Sequence, residues 1–178
     1  DEGKLRLSDP VANHIPEFAN QGKEKITLNN LLLHNGGLPA CKQLFQTCSS
    51  PQQVLDSVYQ TEVIYRTGDS TVYSDFDFIL LGKIVERVSG TSLDRYVDSV
   101  FLRPLGMTRT MYCPPESLWA DVAPTEIDSS FRKGLVRGVV HDENAFALGG
   151  VSGHAGLFST ATDVAVLTQM ILNGGTYG

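Results

Sequence analysis

The sequence predicts a mainly α-helical chain. Apolar residues recur at three- and four-residue spacings behind capping residues, and strand-like alternation is scarce. The strand–helix rhythm of a parallel α/β sheet is also absent. Residues 1–25 mix Pro, Gly and charge with Leu5, Leu7, Val11, Ile15 and Phe18, a spacing too irregular for a long amphipathic element, and are expected to form a loop with short turns. Thr27 then caps a short helix through Leu33 with Leu28, Leu31 and Leu32 on one face, and Gly36-Gly37 is expected to end it in the left-handed conformation.

Ser50-Pro51-Gln52-Gln53 combines an N-cap serine, proline at the first helical position and a glutamine three residues after the cap, a capping box for a helix that buries Val54, Leu55, Val58 and Tyr59. Arg66 to Ser70 is a turn. From Asp75 to Val88, the spacing of Phe78, Leu81, Ile84, Val85 and Val88 predicts the clearest helix, stopped by Ser89-Gly90. Thr91-x-x-Asp94 opens another, with Leu93, Tyr96, Val97, Val100 and Phe101 on its face and Pro104 and Gly106 at its end. Residues 107–135 are rich in loop formers, and Leu135 to Val140 suits a small strand or hairpin. Gly149 to Gly156 packs four glycines into a tight loop, followed by a helix capped by Thr160 and Asp163, with Val164, Leu167 and Ile171 toward the core.

Composition narrows the function classes. With 178 residues and 42% apolar content, the chain can bury a core as one domain or a large part of one. A net charge of −6 without a Lys/Arg cluster argues against a nucleic-acid surface. The apolar runs fall far short of the roughly 18–20 residues of a membrane span. Cys41, Cys48 and Cys113 form neither a disulfide framework nor zinc-ligand spacing; a Cys41–Cys48 bridge stays open. The start at Asp1 and the end in a turn at Gly178 suggest truncation on both sides.

Tyr73-Ser74-Asp75 places three polar side chains at the positive end of the helix that follows. A phenol ionises near pH 10, so a basic tyrosine needs cations or aligned dipoles, and a helix N-terminus supplies part of that. The simpler reading is a cap with a packed tyrosine. His141-Asp142-Glu143 offers ligand and base chemistry, but adjacent residues rarely face one metal and no second His follows at helical spacing, so no metal is expected. No phosphate-binding glycine loop is present.

Several ordered stretches together carry a resemblance. They are Glu2-Gly3-Lys4-Leu5 through Val11; Ile26-Thr27-Leu28 through His34-x-Gly36-Gly37-Leu38-Pro39; Tyr73-Ser74-Asp75 through Gly90; Pro104-Leu105-Gly106-Met107; and Gly156-Leu157-Phe158-Ser159-Thr160 through Asp163. In order and spacing the chain resembles the serine β-lactamase/penicillin-binding-protein superfamily, in its class C-like esterase and carboxypeptidase branch. Val140 to Ala145 is similar to a stretch of serine hydrolase domains in that branch, some attached to glycosidase domains.

The resemblance implies that residues 1–178 are the helical region of an α/β (α+β) fold whose flanking antiparallel sheet is largely missing. It also implies a serine hydrolase that forms an acyl-enzyme from an ester, a β-lactam or a D-alanyl peptide, without a cofactor. Tyr73 would take the family's proton-shuttling tyrosine role, and Asp75 stands where Asn is usual. His141, Asn144 and His154 would border the cleft that takes the small acyl substrate. The family's Ser-x-x-Lys would precede Asp1 and its Lys/His-Thr-Gly strand would follow Gly178, which leaves these residues inactive alone. Ser130-Phe131-Arg132-Lys133 matches the first motif by letter but follows the tyrosine and lies in a polar loop, so it is taken as a decoy. His154-Ala155-Gly156 resembles the third motif only superficially. The resemblance favours a periplasmic or secreted enzyme, whereas the three cysteines leave the compartment open. A reading of a different class is a non-catalytic binding or structural module that keeps the fold. A metal hydrolase using His141 and His154 is a third.

Overall fold

The computed structural model describes residues 3–177, and helices dominate it. Residues 3–25 form the expected loop with short turns, and they supply part of the core. Two 3-10 turns, Val11–Asn13 and Pro16–Phe18, bury Val11, Ile15 and Phe18 completely. Each contributes on the order of 1.5–3 kcal/mol of apolar burial, which irregular spacing hides because turns, unlike helices, have no period to detect. Lys23 is buried among them and donates to the Tyr59 carbonyl at 2.7 Å and the Thr61 carbonyl at 2.6 Å. Burial lowers its pKa to about 8.

Helix α1 spans Leu28–Leu32. Thr27 accepts the Asn30 N–H and the Asn30 side chain accepts the Thr27 N–H, a complete capping box. Leu28 and Leu31 are buried but Leu32 faces outward, because a helix of five residues brings only one turn's worth of side chains against the core. The chain leaves the helix at His34, whose φ of 54° is left-handed, earlier than the Gly36-Gly37 pair that was expected to end it. Helix α2, Pro51–Tyr59, buries Val54, Leu55, Val58 and Tyr59 as the spacing predicts. Ser50 accepts the Gln53 N–H, while Gln53 Oε1 takes the N–H of Ser49 instead of that of Ser50.

Helix α3, Asp75–Ser89, is the centre of the molecule. Its fully buried stripe is Phe76, Ile79, Leu80 and Ile84; Phe78, Leu81, Val85 and Val88, which the sequence singled out, are half-buried. Both stripes satisfy three- and four-residue spacing. The helix is covered by α1 on one side and by α4, Leu93–Val97, on another, and spacing alone cannot rank two covered faces. Glu86 pairs with Lys83 on α3 and accepts the Leu93 N–H at 3.0 Å, so a carboxylate on α3 does the capping of α4 that Thr91 was expected to do. A π-helical turn, Asp98–Leu102, follows directly, with the Arg103 N–H reaching the Asp98 carbonyl. The wide turn advances the register by a residue, so Leu102 is buried and Val100 and Phe101 are exposed, the reverse of the straight-helix expectation.

Strand content is small. Strand β1, Met111–Tyr112, pairs antiparallel with β4, Leu157–Phe158; β2, Glu126–Asp128, pairs antiparallel with β3, Gly134–Val136. The hairpin expected near Leu135 to Val140 therefore exists, but its strand ends at Val136. Helix α5, Glu143–Ala147, has no counterpart in the sequence reading; Asp142 caps it by accepting the Ala145 N–H at 2.7 Å. Helix α6, Ala161–Leu172, is capped by Thr160. Val164 and Ile171 are exposed rather than core-facing, since among the described residues nothing packs over that side. Asp163 is the buried residue of α6, and it accepts the Arg109 N–H at 2.9 Å and the Thr110 hydroxyl at 2.8 Å. All three cysteines are free.

Candidate active site

The segment after α1 runs beside the start of α3 and fixes it. The Ser74 hydroxyl donates to the Pro39 carbonyl at 2.6 Å, the Asp75 N–H to the Ala40 carbonyl at 2.9 Å, and the Val72 N–H to the His34 carbonyl at 2.9 Å. Ser74 is the N-cap residue by backbone geometry, but its side chain does not cap α3, contrary to the simplest reading of Tyr73-Ser74-Asp75. Tyr73 projects from this junction with 66% of its surface exposed, its ring tilted against that of His34 at 4.7 Å between centroids.

Asp75, in the first turn of α3, converges with two residues from distant parts of the chain. A carboxylate oxygen of Asp75, one of Asp142 and a ring nitrogen of His154 all lie within 4.8 Å of one another. The His154 side chain is 98% buried: Nδ1 lies 2.8 Å from the Ser152 hydroxyl and Nε2 2.9 Å from Asp142 Oδ1. Burial raises the Asp75 pKa; His154 opposes the shift and Asp142 adds to it. For Asp142, burial also pushes upward, but the hydrogen bonds from His154 and the Ala145 N–H outweigh it and leave the carboxyl below its ordinary value. Among the described residues the same three groups could hold a cation; both His154 nitrogens and Asp142 Oδ1 already have hydrogen-bond partners, so hydrogen bonding accounts for the His154–Asp142 pair.

The remaining candidates divide. Asn144 is buried with its amide committed to backbone, donating to the Lys42 carbonyl at 2.8 Å and accepting the Phe45 N–H at 3.1 Å. It ties α5 to the loop of residues 42–45. His141 is exposed, 3.3 Å from Glu126 Oε1, and stands outside the Asp75 cluster. It helps wall a cleft of about 590 Å³ together with Asp142, Met111, Val139, Leu157 and Ser159. Tyr73, Asp75 and His154 do not line that cleft.

The Ser130 to Lys133 stretch is a structural turn. The Asp128 carboxylate accepts the N–H groups of Ser130, Phe131 and Arg132 and the Ser130 hydroxyl, which hold its pKa far below the usual range. Arg132 donates to Asp128, to Glu126 and to the Val140 and His141 carbonyls, carrying the hairpin loop onto the His141-Asp142 segment. Two features escaped the sequence reading. His34, named there only within a stretch of the resemblance, contacts the buried Asp77 carboxylate at 2.8 Å. Ser152 orients His154. A carboxylate inside the apolar run Phe76-Asp77-Phe78 was the one available signal for the first; nothing local marked the second.

A family model described as Beta-lactamase matches residues 1–177. The chain belongs to the beta-lactamase family. An Escherichia coli K12 protein named "Putative D-alanyl-D-alanine carboxypeptidase" is 41% identical over 207 aligned positions, covering 99% of this chain and 47% of that protein. This beta-lactamase-family chain thus spans about half the length of the curated relatives it matches. Among solved structures, FmtA from Staphylococcus aureus superposes with a TM-score of 0.78 at 22% identity, over 99% of this chain and 48% of that one. An octameric penicillin-binding protein homologue from Pyrococcus abyssi gives 0.74 at 25% identity, over 98% and 41%. The mainly helical architecture with small antiparallel sheets is that of the helical part of the beta-lactamase fold.

Proposed function

We propose that residues 1–178 supply the tyrosine side of an acyl-transfer site in a serine hydrolase that acts on an ester, a β-lactam or a D-alanyl peptide. The observation that carries the reading is Tyr73, exposed at the head of a 15-residue helix and set on the edge of the Asp75–Asp142–His154 cluster's helix turn. In the proposed cycle a serine hydroxyl attacks the acyl carbonyl and loses its proton toward the base side of the site. Tyr73 relays that proton to the leaving amine or alkoxide as the C–N or C–O bond breaks, and water then hydrolyses the acyl ester. Ser130 is not that serine, because its hydroxyl is held by Asp128 inside a tight turn. His154 and Asp142 act through their charge beside Asp75, His154 favouring its ionised form and Asp142 opposing it, and Asn144 by fixing the loop of residues 42–45; His141 borders the adjoining cleft.

Serine-directed labelling with a fluorophosphonate or a labelled penicillin tests the class. The full-length protein is expected to label, and Ser130→Ala to label equally. Loss of labelling in that variant would make Ser130 the nucleophile and overturn the assignment; no labelling in the full-length protein would favour a non-catalytic module.

Asp75 gives the proposal a pH signature. An ionised carboxylate cannot donate to a substrate carbonyl, but burial raises this carboxyl's pKa, so its O–H persists to higher pH than that of an ordinary aspartate. The donor is present below the raised pKa and lost as pH rises through it. Asp75→Asn supplies an amide N–H at every pH, so the ratio of variant to wild-type turnover is expected to climb as pH rises through the raised pKa of Asp75. A ratio independent of pH would remove Asp75 from substrate binding.

A further inference from the structure

Asp77 is in an expensive place. It is the third residue of α3, 1% exposed, with Oδ1 buried and without a hydrogen-bond partner among the described residues. Desolvation raises its pKa to about 6 against the opposing hydrogen bond from His34. In an ordinary capping box the carboxylate at this position would accept the N–H of the N-cap residue, here Ser74. Instead Asp77 Oδ2 lies 2.8 Å from His34 Nδ1, and the Ser74 nitrogen 3.2 Å from the same atom; that ring nitrogen has one hydrogen-bonding position, and the shorter contact, with Asp77, takes it. The imidazole is inserted into the cap.

His34 is itself held in place. Its φ of 54° is left-handed, a region in which His, like Asn and Asp, is less disfavoured than other non-Gly residues, and its carbonyl is fixed by the Val72 N–H at 2.9 Å and the Tyr65 hydroxyl at 3.2 Å. Phe78 packs on the ring at 5.2 Å between centroids and Tyr73 at 4.7 Å. One clear local penalty, a buried carboxyl with an orphaned oxygen, together with a left-handed turn at His34, therefore serves one outcome: a single orientation of the imidazole under the Tyr73 ring. A plain capping box would have closed α3 without either.

We propose that His34, oriented by its Nδ1 contact with Asp77, is a positioning residue that sets the direction of the Tyr73 phenol. The idea rests on Tyr73 being the proton-shuttling residue, and it deepens that reading by naming what aims it. His34 touches neither substrate nor the reacting atoms; it acts through the tyrosine ring.

The test combines a kinetic cycle with an activity-independent signal, both on the full-length protein. His34→Ala is expected to lower kcat for acyl transfer tenfold or more with KM unchanged, and to cause no further loss in a Tyr73→Phe background. His34→Phe keeps a ring in the packing without Nδ1 and should fall between wild type and His34→Ala; it and Asp77→Asn carry the same comparisons if His34→Ala fails to fold. In NMR spectra of protein with 13C-labelled tyrosine rings, the Tyr73 signals should shift toward random-coil values in His34→Ala and Asp77→Asn while those of Tyr59 and Tyr112 stay in place. Equal loss from His34→Ala with and without Tyr73, or unmoved Tyr73 signals, would overturn the proposal. Should Tyr73→Phe leave turnover intact, the catalytic reading fails and the NMR signals alone decide whether His34 aims the ring.

Discussion

Tyr73→Phe in the full-length protein is expected to depress acylation by about 10²–10⁴-fold, the range a positioned acid–base group contributes. KM and the thermal midpoint should stay close to wild type. The separation follows from where the side chain sits: its ring rests against His34, which phenylalanine reproduces, and its surface is two-thirds exposed, so little core packing depends on the hydroxyl. What is lost is the group that can hold a proton between the nucleophile and the leaving group. Stopped-flow acylation with a chromogenic ester or a fluorescent penicillin reads the rate directly. Acylation within twofold of wild type would sink the assignment of Tyr73, and with it the proposed mechanism.

Gly153→Ala is expected to destabilise the fold by about 3 kcal/mol. The glycine loop crosses α3 where Gly82 faces Gly153. A Cβ on Gly153 would lie 2.0 Å from the Phe78 carbonyl oxygen and 3.1 Å from the Gly82 nitrogen. Those atoms are helix backbone and cannot swing aside as a side chain would, so the loop must lift. Because His154 is the next residue, lifting the loop also separates it from Asp142, and activity should fall with stability. Gly82→Ala makes an informative contrast. Its Cβ would meet the Gly153 nitrogen at 3.0 Å, a milder conflict, and alanine recovers about 0.5–1 kcal/mol of helix preference, so the net change should be small. Urea unfolding midpoints measure both. A Gly153→Ala midpoint equal to wild type would mean that the crossing is not tight.

The helices that the sequence announced most clearly are those whose ends carry their own chemistry. Thr27, Ser50 and Thr160 each cap the helix predicted to follow, and α2 buries all four apolar residues assigned to it. Failures cluster where a long-range partner does the work of a local signal. Glu86 reaches across from α3 to cap α4, a π-helical turn exchanges Phe101 for Leu102, and α5 is a single turn whose cap, Asp142, was read as a possible ligand. The site divides in the same way. The position of Tyr73 and Asp75 at the head of α3 was legible because a strongly periodic helix follows them. The roles of Asn144 and His154 were not, since their partners lie 102 residues away in Lys42 and 12 residues away in Asp142.

By itself, then, the sequence determined the mainly helical character of the chain, the starts of the helices capped by Thr27, Ser50 and Thr160 and, through ordered motifs, the family. These are properties of residues within a turn or two of one another, where spacing and capping hydrogen bonds dominate. Only the tertiary structure decided which of two apolar stripes on α3 is innermost, that Asp75, Asp142 and His154 share one cluster, and that His34 stands inside the cap of α3 beneath Tyr73. Those outcomes depend on desolvation and on which backbones cross, and both are set by elements far apart in sequence that meet only when the core closes.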